Sequence, residues 1–201
     1  HALTTQAYSL PLPALFDVAQ CLEWQGDGYA VRAAYRHGRK LRPGSHRANR
    51  FELRIRDLRG DRGAIEASLA AIREHGVPNY FGPQRFGREG SNLRRAVAWA
   101  GGAAGPRDRS QRSFALSAAR SHLFNAVLAA RVARGDWNRL LPGEAVMLDG
   151  RRSFFIAEPA DAALEARRVA MDVHPSGPLP GRGASPATGP AREFEDGAVA
   201  Q

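Results

Sequence analysis

The stretch Leu116–Arg134 carries the most complete helix signal in the chain: it is rich in alanine, places Leu123, Val127 and Leu128 along one side, and is stopped by Gly135. A helix with one apolar stripe is stable only when that stripe is covered, so its neighbours in sequence must supply packing partners. Asp61 reads as the N-cap of a second helix over Ala64–His75, with Ile65, Leu69 and Ile72 on one side and Gly76 as its stop. Ser91 or Asn92 can cap a third, Leu93–Ala100, and Asp161–Met171 is a further amphipathic segment. Two short apolar runs, Ala145–Leu148 and Ser153–Ile156, flank Asp149-Gly150, the usual signal of a β-hairpin.

Strands are expected in the first third as well. Phe51-Glu52-Leu53-Arg54-Ile55-Arg56 alternates strictly, which predicts a half-buried strand with a cationic outer face. Leu22–Tyr35 alternates loosely, and the first twenty residues read as an entry strand plus a loop broken by Pro11 and Pro13. His174–Pro190, dense in proline and glycine, predicts loop, and Gly101–Pro106 is the best internal boundary. Helices and short strands in this mixture predict an α+β fold.

Composition narrows the class. With 43% hydrophobic and 24% charged residues, the 201-residue chain is neither collagen-like nor wholly disordered. No apolar run approaches the roughly 20 residues of a membrane helix. A lone cysteine, Cys21, excludes an internal disulfide and a thiolate metal cluster, and fits a reducing cytoplasm. Charge is more informative: 29 Lys and Arg against 20 Asp and Glu leave +9. Residues 1–135 hold 22 basic and 10 acidic residues, and the remainder is slightly acidic, so the positive field is localised. Such a field suits a polyanionic partner. Its densest part, Arg36–Arg59, comprises Arg36, Arg39, Lys40, Arg42, Arg47, Arg50, Arg54, Arg56 and Arg59, set against Glu52 and Asp57.

Asn79-Tyr80-Phe81-Gly82-Pro83-Gln84-Arg85-Phe86-Gly87 combines aromatics, a carboxamide and an arginine in a shaped loop. Tyr80 or Phe81 could stack on a splayed base, Asn79 could bond its polar edge, and Arg85 could neutralise a phosphate. A buried aromatic turn, with Tyr80 and Phe86 in the core, is the competing reading. Other constellations are weaker. His37 and His46 lack acidic or cysteine partners at ligand spacing, so no metal site is expected. Gly101–Gly105 lacks the ending of a phosphate loop, and Ser117 and Ser121 lack a nucleophile elbow. Glu193 and Glu195 read as an exposed, solubilising tail.

The loop Val77–Gly87 resembles the signature of the tRNA pseudouridine synthase D family, and Arg112–Asn125 resembles the helix that opens that family's inserted domain. His37–Leu41 lies where the family has a basic loop, and His1-Ala2-Leu3-Thr4-Thr5-Gln6 is similar to the end of its catalytic motif. The resemblance implies part of a pseudouridine-synthase mixed or antiparallel sheet with flanking helices over 1–104, and a smaller inserted α/β domain, truncated, over 105–201. It implies an internal fragment: the catalytic aspartate is expected just before His1, so none of this chain's residues is expected to be catalytic. The implied activity is isomerisation of a uridine in tRNA, position 13 in the family, with no cofactor or metal, in the cytoplasm, by a monomer. The fragment alone would then be inactive. Asn79 and Phe81 carry over as substrate contacts, while Arg85, Arg36, Arg39, Lys40 and Arg42 are expected on the RNA backbone because of their charge. A non-catalytic RNA-binding module that uses the basic patch and the aromatic loop is the alternative.

Overall fold

The computed structural model describes residues 3–42, 49–151, 153–158, 161–181 and 183–200. His1, His46 and Arg47, named above, lie outside the described residues. The chain divides into two compact units, His1–Arg54 and Ile55–Gln201.

The first unit is held by short-range devices. Asp17 caps a 3-10 turn, Val18–Glu23, by accepting a 2.9 Å bond from the Ala19 N–H, and this turn buries Cys21. Phe16 and Trp24 meet at its ends, ring centroids 6.3 Å apart. A minimal hairpin follows, β1 (Gln25–Gly26) antiparallel to β2 (Tyr29–Ala30), paired Gln25 to Ala30 and Gly26 to Tyr29. The expected entry strand is not formed among the described residues.

Nor is the alternating segment a strand. Residues 49–56 make no ladder among the described residues, and Phe51, Leu53 and Ile55 are 78%, 80% and 67% exposed. Period-two alternation states which face a strand would bury, but the strand exists only when a second backbone takes up its N–H and C=O groups.

In the second unit the local signals are followed closely. Helix α1 (Arg62–His75) starts at Asp61, whose carboxylate accepts from the Gly63 and Ala64 N–H groups, and stops at Gly76. Its apolar stripe stays largely open, with Leu69 57% and Ile72 47% exposed. Helix α2 (Ser91–Ala100) is entered through Gly90 in the left-handed conformation rather than through a Ser91 or Asn92 side-chain cap. Helix α3 (Arg109–Arg134) begins about two turns before the expected start at Leu116, because Asp108 accepts from the Gln111 N–H at 2.8 Å. Small residues allow α2 to pack on α3: Ala96, Ala115 and Ala118 are buried.

The expected hairpin is present as β3 (Ala145–Leu148) and β4 (Phe154–Ile156), antiparallel with Val146 opposite Phe155. Helix α4 (Ala162–Val169) is capped by Asp161 and leads into β5 (Val173–Pro175). This strand pairs with the other edge of β3, giving the order β4-β3-β5. Val146, Ala157, Leu164 and Val173 form the core beneath it, with Leu140, Leu148 and Phe155 against them. Helices with small antiparallel sheets make this an α+β fold.

Two expectations about the last thirty residues need correction. The loop expected over His174–Pro190 begins inside β5 and ends inside helix α5 (Gly189–Val199), which packs on α3. Glu195 is therefore no solubilising tail residue. It lies on the inner face of α5 at 7% exposure and accepts a 2.9 Å bond from Ser185 Oγ, whereas Glu193 is exposed as expected. Proline and glycine at the start of α5 occupy its first turn, where a missing N–H costs nothing.

Candidate RNA-facing site

The aromatic loop is built against α3. After Pro78 the chain runs past Asn79 and Tyr80 to Phe81, then folds into a 3-10 turn, Pro83–Phe86, which contains Arg85. Asn125 of α3 grips Phe81 by both backbone groups: the Phe81 N–H donates to Asn125 Oδ1 at 2.9 Å, and Asn125 Nδ2 donates to the Phe81 carbonyl at 3.0 Å. One side chain thus does for Phe81 what a neighbouring strand does in a sheet. The Phe81 ring stands edge-on to Phe124 at 5.3 Å, and Phe86 stands edge-on to His122 at 6.5 Å. Phe124 is in turn covered by Gly177: a Cβ there would come within 2.7 Å of the ring.

The turn ends at Gly87, whose φ of 78° favours glycine. A side chain there would also meet Ser91 Oγ and the Asn92 carboxamide at 2.8–2.9 Å. Sequence, turn and packing therefore agree in presenting the loop in one conformation.

Of the residues expected to act, Asn79 is exposed, and its carboxamide makes no hydrogen bond among the described residues. Phe81 is half-buried, with Arg85 stacked over its ring at 5.1 Å. Arg85 also donates from Nη1 to Ser117 Oγ at 3.2 Å. The structure thus brings Phe81 and Arg85 together and leaves Asn79 free beside them. Tyr80 is 42% exposed and Phe86 half-buried, so neither is a core residue of a closed aromatic turn.

A cleft of about 400 Å³ opens between this turn and α3, lined by Phe81, Arg85, Ser113, Leu116, Ser117, Arg120, Ser121 and Leu179. Apart from Arg85, its polar side chains come from α3 at the spacing of successive turns. Sequence reasoning gave no role to Asn125, Arg120 or Ser113, and dismissed Ser117 only as a nucleophile. The helical spacing of 113, 117, 120 and 121 was visible, but not which loop the face would meet.

Arg36, Arg39, Lys40 and Arg42 belong to the first unit and are all exposed. Arg36 donates to the Phe16 carbonyl, and Leu41 N–H donates to Ser9 Oγ at 3.0 Å, so the basic segment is anchored to the chain before the hairpin. His37 Nδ1 lies 2.6 Å from the Arg39 carbonyl, an intraloop contact. Among the described residues, no group of three or more His, Cys, Asp or Glu could hold a metal ion, and no helix is long and apolar enough to cross a membrane.

The model of the tRNA pseudouridine synthase D (TruD) family matches residues 1–97 and 102–201. A tRNA pseudouridine synthase D of Nitrosococcus oceani is 46% identical over 200 residues, covering 100% of this chain and 56% of the relative. That of Azotobacter vinelandii is 47% identical over 196 residues, 98% of this chain and 55% of the relative. That of Xanthomonas axonopodis pv. citri is 46% identical over 214 residues, 99% of this chain and 57% of the relative. The chain therefore spans a little over half the length of the curated relatives it matches.

Proposed function

Because the chain belongs to the tRNA pseudouridine synthase D family, we propose that its Asn79–Gly87 loop receives a uridine of tRNA, position 13 in the family, during isomerisation to pseudouridine. The observation that supports this reading is the exposed Asn79 carboxamide beside a Phe81 ring fixed from both sides by Asn125, Phe124 and Arg85. A carboxamide offers both a donor and an acceptor to the edge of a uracil, and the ring offers a face or edge for it to pack against.

In the reaction the bond from the ribose carbon to uracil nitrogen breaks, the base rotates, and a bond to uracil carbon replaces it. A proton leaves that carbon and the freed nitrogen gains one. Atoms and electrons balance within the substrate, so no redox partner is consumed. The base must be taken out of its stack and retained while detached. Asn79 holds its polar edge, Phe81 limits its travel, and Arg85 neutralises an adjacent phosphate. No residue of this chain is assigned the opening step, which in this reading belongs to an aspartate preceding His1. Arg36, Arg39, Lys40 and Arg42 contact backbone phosphates elsewhere on the tRNA. Residues 1–104 act as part of the catalytic domain and 105–201 as the inserted one, in a monomeric cytoplasmic enzyme.

The test is Asn79→Ala in protein expressed from the complete reading frame. Losing one neutral hydrogen bond to the base should slow pseudouridine formation by about tenfold or more, with the tRNA Kd changed less than about threefold. Equal losses in both would reduce Asn79 to a binding contact. RNA binding with no pseudouridine formed by the unaltered protein would instead favour the non-catalytic RNA-binding module.

A further inference from the structure

We propose that the cleft between the Phe81–Arg85 turn and the Ser113–Ser121 face of α3 holds an RNA phosphodiester, and that Arg120 completes the site. The proposal rests on the reading of the protein as RNA-facing, and adds to it a place and a second cation from a different element.

Three observations carry it. First, the cleft has two guanidinium groups, Arg85 and Arg120, and the hydroxyls of Ser113, Ser117 and Ser121, while no carboxylate lines it. Second, among the described residues neither arginine is neutralised by an acidic side chain, a property shared with Arg94 and Arg112, which lie outside the cleft, but not with the paired arginines of the same unit. Arg62, Arg131, Arg134, Arg167, Arg168 and Arg192 each pair with a carboxylate, but among the described residues Arg85 and Arg120 do not. Third, both are nevertheless held in place, by neutral acceptors. Arg85 donates to Ser117 Oγ and stacks on Phe81, and Arg120 donates from Nη2 to the Leu179 carbonyl at 2.9 Å.

A guanidinium carries five N–H donors in a planar fork, so each arginine retains donors after these contacts, together with its full charge. Two oriented, uncompensated guanidiniums on facing elements suit a phosphodiester, which offers two anionic oxygens and accepts hydroxyl donors as well. The cleft adjoins Phe81, so the phosphate it holds is close in the strand to the base packed there. Serines rather than larger residues on the α3 face leave room for the strand to approach.

The experiment measures tRNA binding by the full-length protein across a series of salt concentrations, for the unaltered protein and for Arg120→Gln, Arg120→Lys and Ser117→Glu. Loss of one phosphate contact should flatten the slope of log K against log salt by about 0.7–1 in Arg120→Gln. Arg120→Lys, which keeps the charge, should retain most of the slope. Ser117→Glu places a carboxylate in the cleft and should weaken binding by about tenfold or more at low salt. Thermal melts identify variants that fail to fold, and the two remaining variants then decide. An unchanged slope in folded Arg120→Gln, or full binding by folded Ser117→Glu, would overturn the proposal. Stabilisation by inorganic phosphate, with no change in the RNA slope, would place a free anion there and overturn it too. Absence of pseudouridine formation by the unaltered protein, with the Arg120 effect intact, would sink the enzymatic reading and leave this site standing.

Discussion

Two arginine sites on the same long helix have opposite surroundings. Near its C-terminal end Arg131 is 5% exposed and enclosed by acceptors: Nη1 bonds Glu144 Oε1 at 2.6 Å, Nε reaches Asp136 Oδ1 at 3.4 Å, and Nη2 donates to the Asp136 and Arg139 carbonyls. Glu144, 1% exposed, uses its other oxygen to accept from the Leu141 N–H at 2.8 Å. About three and four turns earlier on the same helix stand Arg120 and Ser117, which line an open cleft with Arg85 and no carboxylate. A buried charge that is fully partnered holds the chain after α3 in place but has nothing left to offer a ligand. The cleft arginines are fixed by neutral groups and keep their charge available. Partnering, more than the count of cations, separates the enclosed Arg131 from the two arginines proposed to meet a phosphate.

The largest effect is expected from breaking the buried pair. Arg131→Met should cost about 3–5 kcal/mol in urea unfolding at pH 8, since it leaves Glu144 buried without its counter-ion. A loss below about 1 kcal/mol would show that the enclosure is not what orders this end of the helix.

Acid should soften that defect. Burial pushes the Glu144 carboxyl from its ordinary 4.5 up to about 7, even though Arg131 and the Leu141 N–H pull it back, and Glu195 adds to the rise. Burial likewise raises Glu195. The folded protein thus binds a proton at Glu144 more tightly than the unfolded chain does. Its contribution to stability is complete below about pH 4.5 and is lost as pH rises through about 7, a change of up to about 3 kcal/mol. Glu144→Gln should show a flatter stability profile than the unaltered protein over that window. Parallel profiles would mean that Glu144 is ionised throughout.

The smallest of the three effects belongs to the open region. Asn125→Ala leaves the Phe81 N–H and carbonyl without their partner and should cost about 1–2 kcal/mol. Its effect on the pseudouridine-forming rate should exceed its effect on melting, because Phe81 loses its orientation before the helix loses its packing. A fall in melting temperature with an unchanged rate would make Asn125 a structural residue only.

How much could be read in advance depended on the range of each signal. Asp61, Gly76 and Gly135 mark helix ends through bonds to groups a few residues away, and Asp149-Gly150 closes a hairpin between adjacent runs; all four do so in the structure. The alternation at Phe51–Arg56 has no comparable local partner, and no strand forms among the described residues. Glu195 was misplaced for the same kind of reason: a carboxylate near proline and glycine looks solvated until α3 is seen to cover its helix. The aromatic loop stands out in sequence as a candidate site, yet the clamp that shapes it comes from Asn125, forty-four positions from Phe81.

Caps, turns, charge and the family motif are written within short stretches, because each acts through hydrogen bonds or torsions that span only a few residues. Asn79, Phe81 and Arg85 are proposed as site residues on that basis. That Arg120 lines one cleft with Arg85, that Asn125 stands in for a strand, and that Arg131 is enclosed with carboxylates while Arg120 on the same helix is held by a neutral carbonyl required the chain to fold back on itself. Those properties depend on which distant groups share a cleft or exclude water from it, and linear spacing does not encode that.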